Sequence, residues 1–327
     1  MDTIDRRGRV SPPPTRTLLV GAGAVGQVYG YHLAQAGAHT SLLVRPKYAD
    51  DCRKGLRLYE MKGKRGRIAH LFQPDEVFTS VADAAARDFD QIWLCLSTAA
   101  LERALEDDLA ELLQGSAKII ALQPGTHVPA LLAPFVGDRM IDGGINMVAY
   151  QAPLVAGEVP EPGVAYYLPS ASPFSGEGAE GVAQLLRAGG CPAKVEPNTR
   201  ALMAYGTATL NPLITALQGA GWSLAEMRKG RWAKLGAAAC AEARAITEAA
   251  IGTPPPTALS FLGSGAVRIA ATFFPYVAPF ELEIYLRYHF TKVQQQTRLL
   301  LDRYLQDGER LGVETPSLRE LRSVVFA

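Results

Sequence analysis

The chain has 327 residues, 48% of them hydrophobic and 20% charged, enough for two domains with substantial cores. Its formal charge is +1, which excludes a nucleic-acid binder that works by bulk electrostatics. No uninterrupted apolar run approaches the roughly 18 residues of a membrane span, and the four cysteines, Cys52, Cys95, Cys191 and Cys240, are isolated, with no pairing or histidine spacing that suggests a metal.

Met1–Pro14 is polar, carries Arg6, Arg7 and Arg9, and lacks the apolar core of a secretion signal. Residues 1–15 therefore read as a flexible tail, and together with the cysteine usage this predicts a reducing, cytoplasmic setting.

Thr17–Val20 is a short apolar run that predicts a buried strand, and it passes directly into Gly21-Ala22-Gly23-Ala24-Val25-Gly26 and a helix bearing Leu33 and Ala34. Each glycine has a mechanical job: Gly21 permits the tight turn, Gly23 lets the backbone approach a pyrophosphate, and Gly26 lets helix and strand pack closely. The helix N-terminal amides then face the phosphates. A second strand, Thr40–Val44, completes the βαβ unit. Where NAD sites place an acidic residue for the ribose, this strand ends in Arg45, which attracts a 2′-phosphate and favours NADP(H).

Met61–Arg67 reads as a hairpin turn at a sheet edge kept soluble by Lys and Arg. Gln91–Leu96 and Ala117–Leu122 are further buried strands, with a helix from Ala99 to Leu113 between them. Ligands of a doubly wound sheet bind beyond the carboxyl ends of its strands, so Ser97, Thr98, Gln123 and Thr126 are expected to line the nicotinamide side. His127 either joins them or is a solvated loop histidine. Met140–Leu168 reads as strands extending the same sheet, Gly178–Ala188 as a helix, and Ala193–Glu196 as a last short strand.

From Pro197 the pattern becomes helical. Asn198 or Thr199 caps a helix to about Gln218, Ser223 caps one to about Ala250, and further helices cover roughly Thr257–Thr272 and Phe280–Leu311, with Gly308 the expected place for a bend or stop. The expected fold is thus α/β: a Rossmann-type doubly wound sheet that binds NADP(H) over 16–196, then an all-α substrate and dimerisation domain over 197–327, with the active cleft between them.

The chain resembles the ketopantoate reductase family. The residues that carry the likeness are Gly21–Gly26 with Tyr29, Leu42-Leu43-Val44-Arg45, Leu122-Gln123-Pro124-Gly125, Leu210-Asn211-Pro212-Leu213 with Thr215-Ala216-Leu217, and Gly312-Val313-Glu314-Thr315-Pro316. The resemblance implies reduction of 2-dehydropantoate to pantoate with NADPH, in pantothenate biosynthesis on the way to coenzyme A. It also implies a lysine on the first helix of the second domain that serves the substrate carbonyl. Counted back from Asn211-Pro212, that position is Met203, an asparagine one turn later is Thr207, and the asparagine before the proline is kept as Asn211. A lysine after the fourth strand is replaced by Ser97, the asparagine of a Leu-Gln-Asn-Gly motif by Pro124, and a glutamate by Gln296.

On the last long helix, Tyr285, Tyr288, His289, Lys292 and Gln296 recur at helical spacing on one face. Lys292 or His289 is therefore the candidate proton donor, with Tyr288, Thr207 and Asn211 as candidate substrate-binding groups. Glu281, Glu283 and Arg287 read as surface ion pairs. Three functions fit this sequence: an NADPH-dependent reductase of a small 2-oxo acid or related ketone or imine, an NADP(H)-binding or sensing homologue without catalysis, and, as a third reading, a non-redox enzyme that uses the interdomain cleft. Small-molecule substrates, no nucleic acid, no membrane and a possible homodimer complete the expectations.

Overall fold

A computed structural model of the chain describes residues 13–64, 66–125, 127–257 and 263–326. Most of the expected tail lies outside them, as does Thr126. The chain divides into two compact units. The first comprises residues through Glu60, Ile68–Pro153 and Val159–Thr199, and the second Met61–Arg67, Leu154–Glu158 and Arg200 onward.

The first unit begins with β1 (Arg16–Val20), α1 (Ala24–Gln35), β2 (His39–Leu43) and α2 (Ala49–Lys54). A hairpin of β3 (Leu56–Lys62) and β4 (Gly66–Phe72) leads to β5 (Glu76–Phe78), α3 (Val81–Ala85) and β6 (Gln91–Leu94). Next come α4 (Thr98–Asp107), α5 (Leu109–Leu112), β7 (Lys118–Ala121), α6 (Val128–Val136) and β8 (Met140–Gly143). The remainder is β9 (Val148–Ala152), β10 (Gly163–Tyr167), β11 (Ser172–Ser175), α7 (Ala179–Ala188) and β12 (Ala193–Val195).

Eight of these strands form one sheet in the order β12-β11-β8-β7-β6-β1-β2-β5. Pairing is parallel from β5 through β8, with Leu19 opposite Leu42 on one side and Trp93 on the other, and β11 runs antiparallel to β8. The strand order reverses at β1, which makes the end of β1 a topological switch point where ligands bind. Alternate residues of each central strand enter different cores: Leu19, Trp93 and Ile120 pack with α1 and α7, whereas Leu18, Ile92 and Ile119 pack with α3, α5 and α6. Because both faces are covered, the strands are continuous apolar runs, the pattern that made them legible.

Two expectations for this unit are corrected. β9 and β10 do not extend the main sheet; with β3 and β4 they form a separate four-stranded sheet, β4-β3-β10-β9. Leu58, Phe72, Val164 and Tyr166 on this small sheet are buried in the same core as Val28, Tyr29 and Leu33 of α1, and β4 is its edge. Gly30 allows the approach, since a Cβ there would meet the Phe72 ring at 2.6 Å. The expected helix from Ala99 to Leu113 is two, α4 and α5, divided at Asp108.

From Thr199 onward the described residues hold helices and turns alone: α8 (Thr199–Gly219), α9 (Leu224–Lys229), α10 (Trp232–Ile251), α11 (Ser264–Val277), α12 (Leu282–Lys292), α13 (Gln294–Leu311) and α14 (Pro316–Val325). Ser223 caps α9 as expected, its Oγ accepting from Glu226 N at 3.3 Å, but the helix stops at Gly230 and α10 begins afresh. The expected helix over Phe280–Leu311 breaks at Val293, not at Gly308. Gly308 serves contact instead: a Cβ there would stand 2.7 Å from Thr315 Cγ2, so the glycine lets the turn after α13 fold back onto it. The core of this unit includes Ile214, Leu217, Ala239, Ile246 and Leu301.

Candidate functional site

The glycine loop joins β1 to α1 at the switch point. Gly21 has φ +100°, in the region only glycine enters at little cost, and its N–H donates to the Leu43 carbonyl at 2.9 Å. A Cβ on Gly26 would overlap the Gly21 carbonyl oxygen, so strand and helix touch there. Gly23 differs from both: a Cβ built on it meets nothing within 4 Å. No protein atom requires a glycine at 23, and the bare backbone leaves a cradle open to a ligand. Gly23 is also the N-cap of α1, with no side-chain cap and no acidic residue in the first turn. The amides of Ala24, Val25 and Gly26 therefore carry the uncompensated positive end of the helix dipole, which favours negative charge there. Gln27 pins the loop from below, Nε2 donating to the Ala22 carbonyl at 2.9 Å. Sequence reasoning missed it, because Gln27 lies outside the glycine pattern.

These features fit a dinucleotide pyrophosphate. Arg45 follows β2 at the same end of the sheet; it is exposed, and its guanidinium lies 5.4 Å from the Tyr48 ring, with Lys47 Nζ 4.8 Å from the same ring. Tyr48 thus braces two cations beside the position of the ribose-binding residue of such folds.

Beyond β6, Ser97 caps α4, its Oγ accepting from Ala100 N at 3.3 Å. Thr98 Oγ1 donates to the Pro124 carbonyl at 3.4 Å, tying the loops after β6 and β7 together. Gln123 is 5% exposed and its Nε2 donates to the Leu94 and Leu96 carbonyls at 2.7 and 2.9 Å. Its role is thereby narrowed, since it clamps the β6 terminus and only Oε1, buried without a partner among the described residues, remains. His127 is partly exposed, and its Nε2 lies 3.4 Å from Glu102 Oε1. The first unit therefore gathers Gly21–Gly26, Arg45, Ser97 and Gln123 at the carboxyl ends of four adjacent parallel strands, β2, β1, β6 and β7.

In the helical unit, Met203, Thr207 and Asn211 recur along one face of α8. Thr207 Oγ1 donates to the Met203 carbonyl at 2.9 Å. Asn211 is 6% exposed; Nδ2 donates to the Thr297 carbonyl at 3.2 Å and ties α8 to α13, while Oδ1 is buried with no partner among the described residues. On α12 the Tyr285 and His289 rings stack at 5.5 Å, and His289 meets the Phe290 ring edge-on at 4.9 Å. Burial, and then the charge of Lys292, hold the His289 imidazole below its ordinary pKa. Burial pushes the Tyr285 hydroxyl up to about 12. Tyr288 and Lys292 are exposed, and Lys292 is the last residue of α12. Gln296 falls beyond the break at Val293, so the expected five-residue face is four residues on α12. Glu283 forms no ion pair with Arg287 among the described residues; its Oε1 accepts from Leu224 N at 2.7 Å and ties α12 to the start of α9.

Residues 17–153 match the family described as ketopantoate reductase PanE/ApbA. Over these residues the chain is similar to ketopantoate reductases. The matched stretch contains the glycine loop, Arg45, Ser97 and Gln123, and it stops before α8. Solved structures extend the likeness in fold to the helical unit. A PanE/ApbA family ketopantoate reductase from Ralstonia eutropha has a TM-score of 0.70 at 20% identity, over 95% of this chain and 97% of its own. A 2-dehydropantoate 2-reductase from Porphyromonas gingivalis has a TM-score of 0.70 at 16% identity, over 96% and 100%. A D-mandelate dehydrogenase with NADH and anilino(oxo)acetate has a TM-score of 0.67 at 16% identity, over 95% and 97%. A comparison with curated proteins gives no match. No helix among the described residues is long and apolar enough to cross a membrane, and no cluster of His, Cys, Asp and Glu among them could hold a metal ion.

Proposed function

We propose that this chain is a reductase of the ketopantoate reductase type that uses NADPH to reduce the carbonyl of a small 2-oxo acid. The observation that carries the reading is the open cradle at Gly23 under an uncapped helix N-terminus with no acidic residue in its first turn. NADPH, when bound, supplies a hydride equivalent to the carbonyl carbon. The α1 amides hold the pyrophosphate, with Gly21 and Gly26 keeping the loop tight against β1 and Ala22, Ala24 and Val25 offering no bulk. Arg45 meets the 2′-phosphate, and that charge-assisted contact sets NADPH above NADH.

Ser97 and Gln123 border the nicotinamide end, Gln123 mainly by holding the strand termini in place. In the helical unit Asn211, Thr207 and Tyr288 orient the substrate by hydrogen bonds. Lys292 Nζ delivers the proton that neutralises the developing alkoxide. His289, whose pKa burial lowers, is the weaker donor and helps to place Lys292. With a methionine at 203, α8 offers no cation there, so this role falls to α12. The mandelate dehydrogenase of the same fold, described with anilino(oxo)acetate, supports a substrate that bears a carboxylate beside a carbonyl. The chemistry calls for a soluble setting in which NADPH is kept reduced, the cytoplasm.

The test is NADPH oxidation with 2-dehydropantoate, then with pyruvate, 2-oxoisovalerate and benzoylformate. Turnover of one of these, lost in Lys292→Ala, is expected. No turnover of any of them by a protein that binds NADPH would overturn the reading.

A further inference from the structure

One nitrogen of a buried guanidinium in the helical unit lacks the partner that burial demands. Arg244 on α10 is 8% exposed, and its Nη1 is buried with no hydrogen-bond partner among the described residues. A guanidinium keeps its proton at any pH a fold survives, so it cannot relieve desolvation by neutralising as a buried lysine does. The penalty stands unless an anion brings oxygen acceptors.

Cys240 and Thr247, its neighbours one turn away on α10, are engaged elsewhere. One turn earlier on α10, Cys240 donates from Sγ to the Thr209 carbonyl at 3.1 Å, and the Arg244 charge lowers the Cys240 thiol pKa against the larger upward push of burial. One turn later, Thr247 donates to the Ala243 carbonyl at 2.8 Å and is hydrogen-bonded to Tyr304 of α13. On α8, which the Thr209 contact sets against this part of α10, Thr209 Oγ1 is also buried without a partner among the described residues. A cation and an unsatisfied hydroxyl on neighbouring helices are what an unfilled polar seat looks like, because buried polar groups in folded proteins are otherwise paired.

We propose that Arg244 anchors an oxyanion seat within the helical unit, and that the seat takes the carboxylate of a small organic acid. The planar guanidinium fork matches a carboxylate with two parallel hydrogen bonds. The choice of a carboxylate over an inorganic oxyanion rests on the 2-oxo acid reading given above.

The experiment is isothermal titration of the nucleotide-free protein with sodium oxamate and with sodium phosphate, each against sodium chloride of equal ionic strength. Wild type is compared with Arg244→Lys and Arg244→Met. Oxamate is expected to bind wild type one to one, about 10- to 100-fold more weakly in Arg244→Lys, where the charge is kept and the fork is lost. Arg244→Met removes oxamate binding and melts at or above the wild-type temperature, because an apolar side chain replaces an unpaired charge. Absent oxamate binding in wild type, or equal binding in all three proteins, overturns the seat, and tighter binding of phosphate than of oxamate overturns the carboxylate assignment. Because no nucleotide is present, either failure leaves NADPH binding and turnover untouched. Retained oxamate binding without turnover of any 2-oxo acid strikes the reductase reading alone.

Discussion

Gly26 lies against the Gly21 carbonyl oxygen so closely that a Cβ would overlap it, while Gly23, between them in the loop, faces open space. The two kinds of glycine predict two kinds of variant. Gly26→Ala must push α1 away from β1, with an expected loss of about 1–3 kcal/mol of stability and of nucleotide binding together. Gly23 has φ −69°, which alanine adopts freely, so Gly23→Ala should keep the wild-type Tm and bind NADPH at least about tenfold more weakly. Thermal melts with fluorescence titration check both. Wild-type affinity in Gly23→Ala would show that no ligand approaches that backbone.

Arg45 is exposed and lies over Tyr48, placed to meet a phosphate without paying for its own burial. Arg45→Ala should weaken NADPH by about 10- to 100-fold, the worth of a charge-assisted contact, and leave NADH unchanged. The NADPH loss should shrink as salt rises, since the contact is exposed. An equal loss for both nucleotides would remove Arg45 from phosphate recognition.

The His289 imidazole has its folded pKa lowered, by burial first and by Lys292 second. Because the unfolded chain then binds the proton more readily, the stabilisation is fully present above the unfolded value of about 6.5 and is lost as pH falls from there through the folded pKa. His289→Phe should therefore unfold with a flatter pH dependence below neutrality than wild type, read by denaturant melts across that range. Identical profiles would remove His289 as the titrating group.

Glu242 of α10 holds the start of α14: its two carboxylate oxygens accept from Ser317 N at 2.9 Å and Leu318 N at 2.8 Å. Thr315, the N-cap residue, gives no side-chain cap. Glu242→Ala should cost about 1–2 kcal/mol of stability while NADPH affinity stays at the wild-type value. A drop in NADPH affinity without a drop in Tm would contradict that separation.

The parts of this fold that were legible in the sequence are those whose signal is local. β1, β6 and β7 are buried on both faces and read as apolar runs, and the glycine loop sits between a strand and a helix that announce themselves. The small sheet was not legible, because which sheet β9 and β10 join is decided by Gly30 admitting Phe72 against α1, a contact between distant residues. The break at Val293 was equally hidden, since the apolar spacing runs across it, and Gly308 drew the expectation toward itself although its absent side chain serves the turn at Thr315. At the site, Arg45 could be picked out by its position after β2. Gln27 and Arg244 could not, because one acts through a carbonyl five residues back and the other is notable only for partners it lacks.

The most direct test of the central claim is a fluorescence titration of the protein with NADPH and, separately, NADH. The account predicts saturable one-to-one binding with NADPH at least about tenfold tighter than NADH. Binding of neither nucleotide, or tighter binding of NADH, would contradict it.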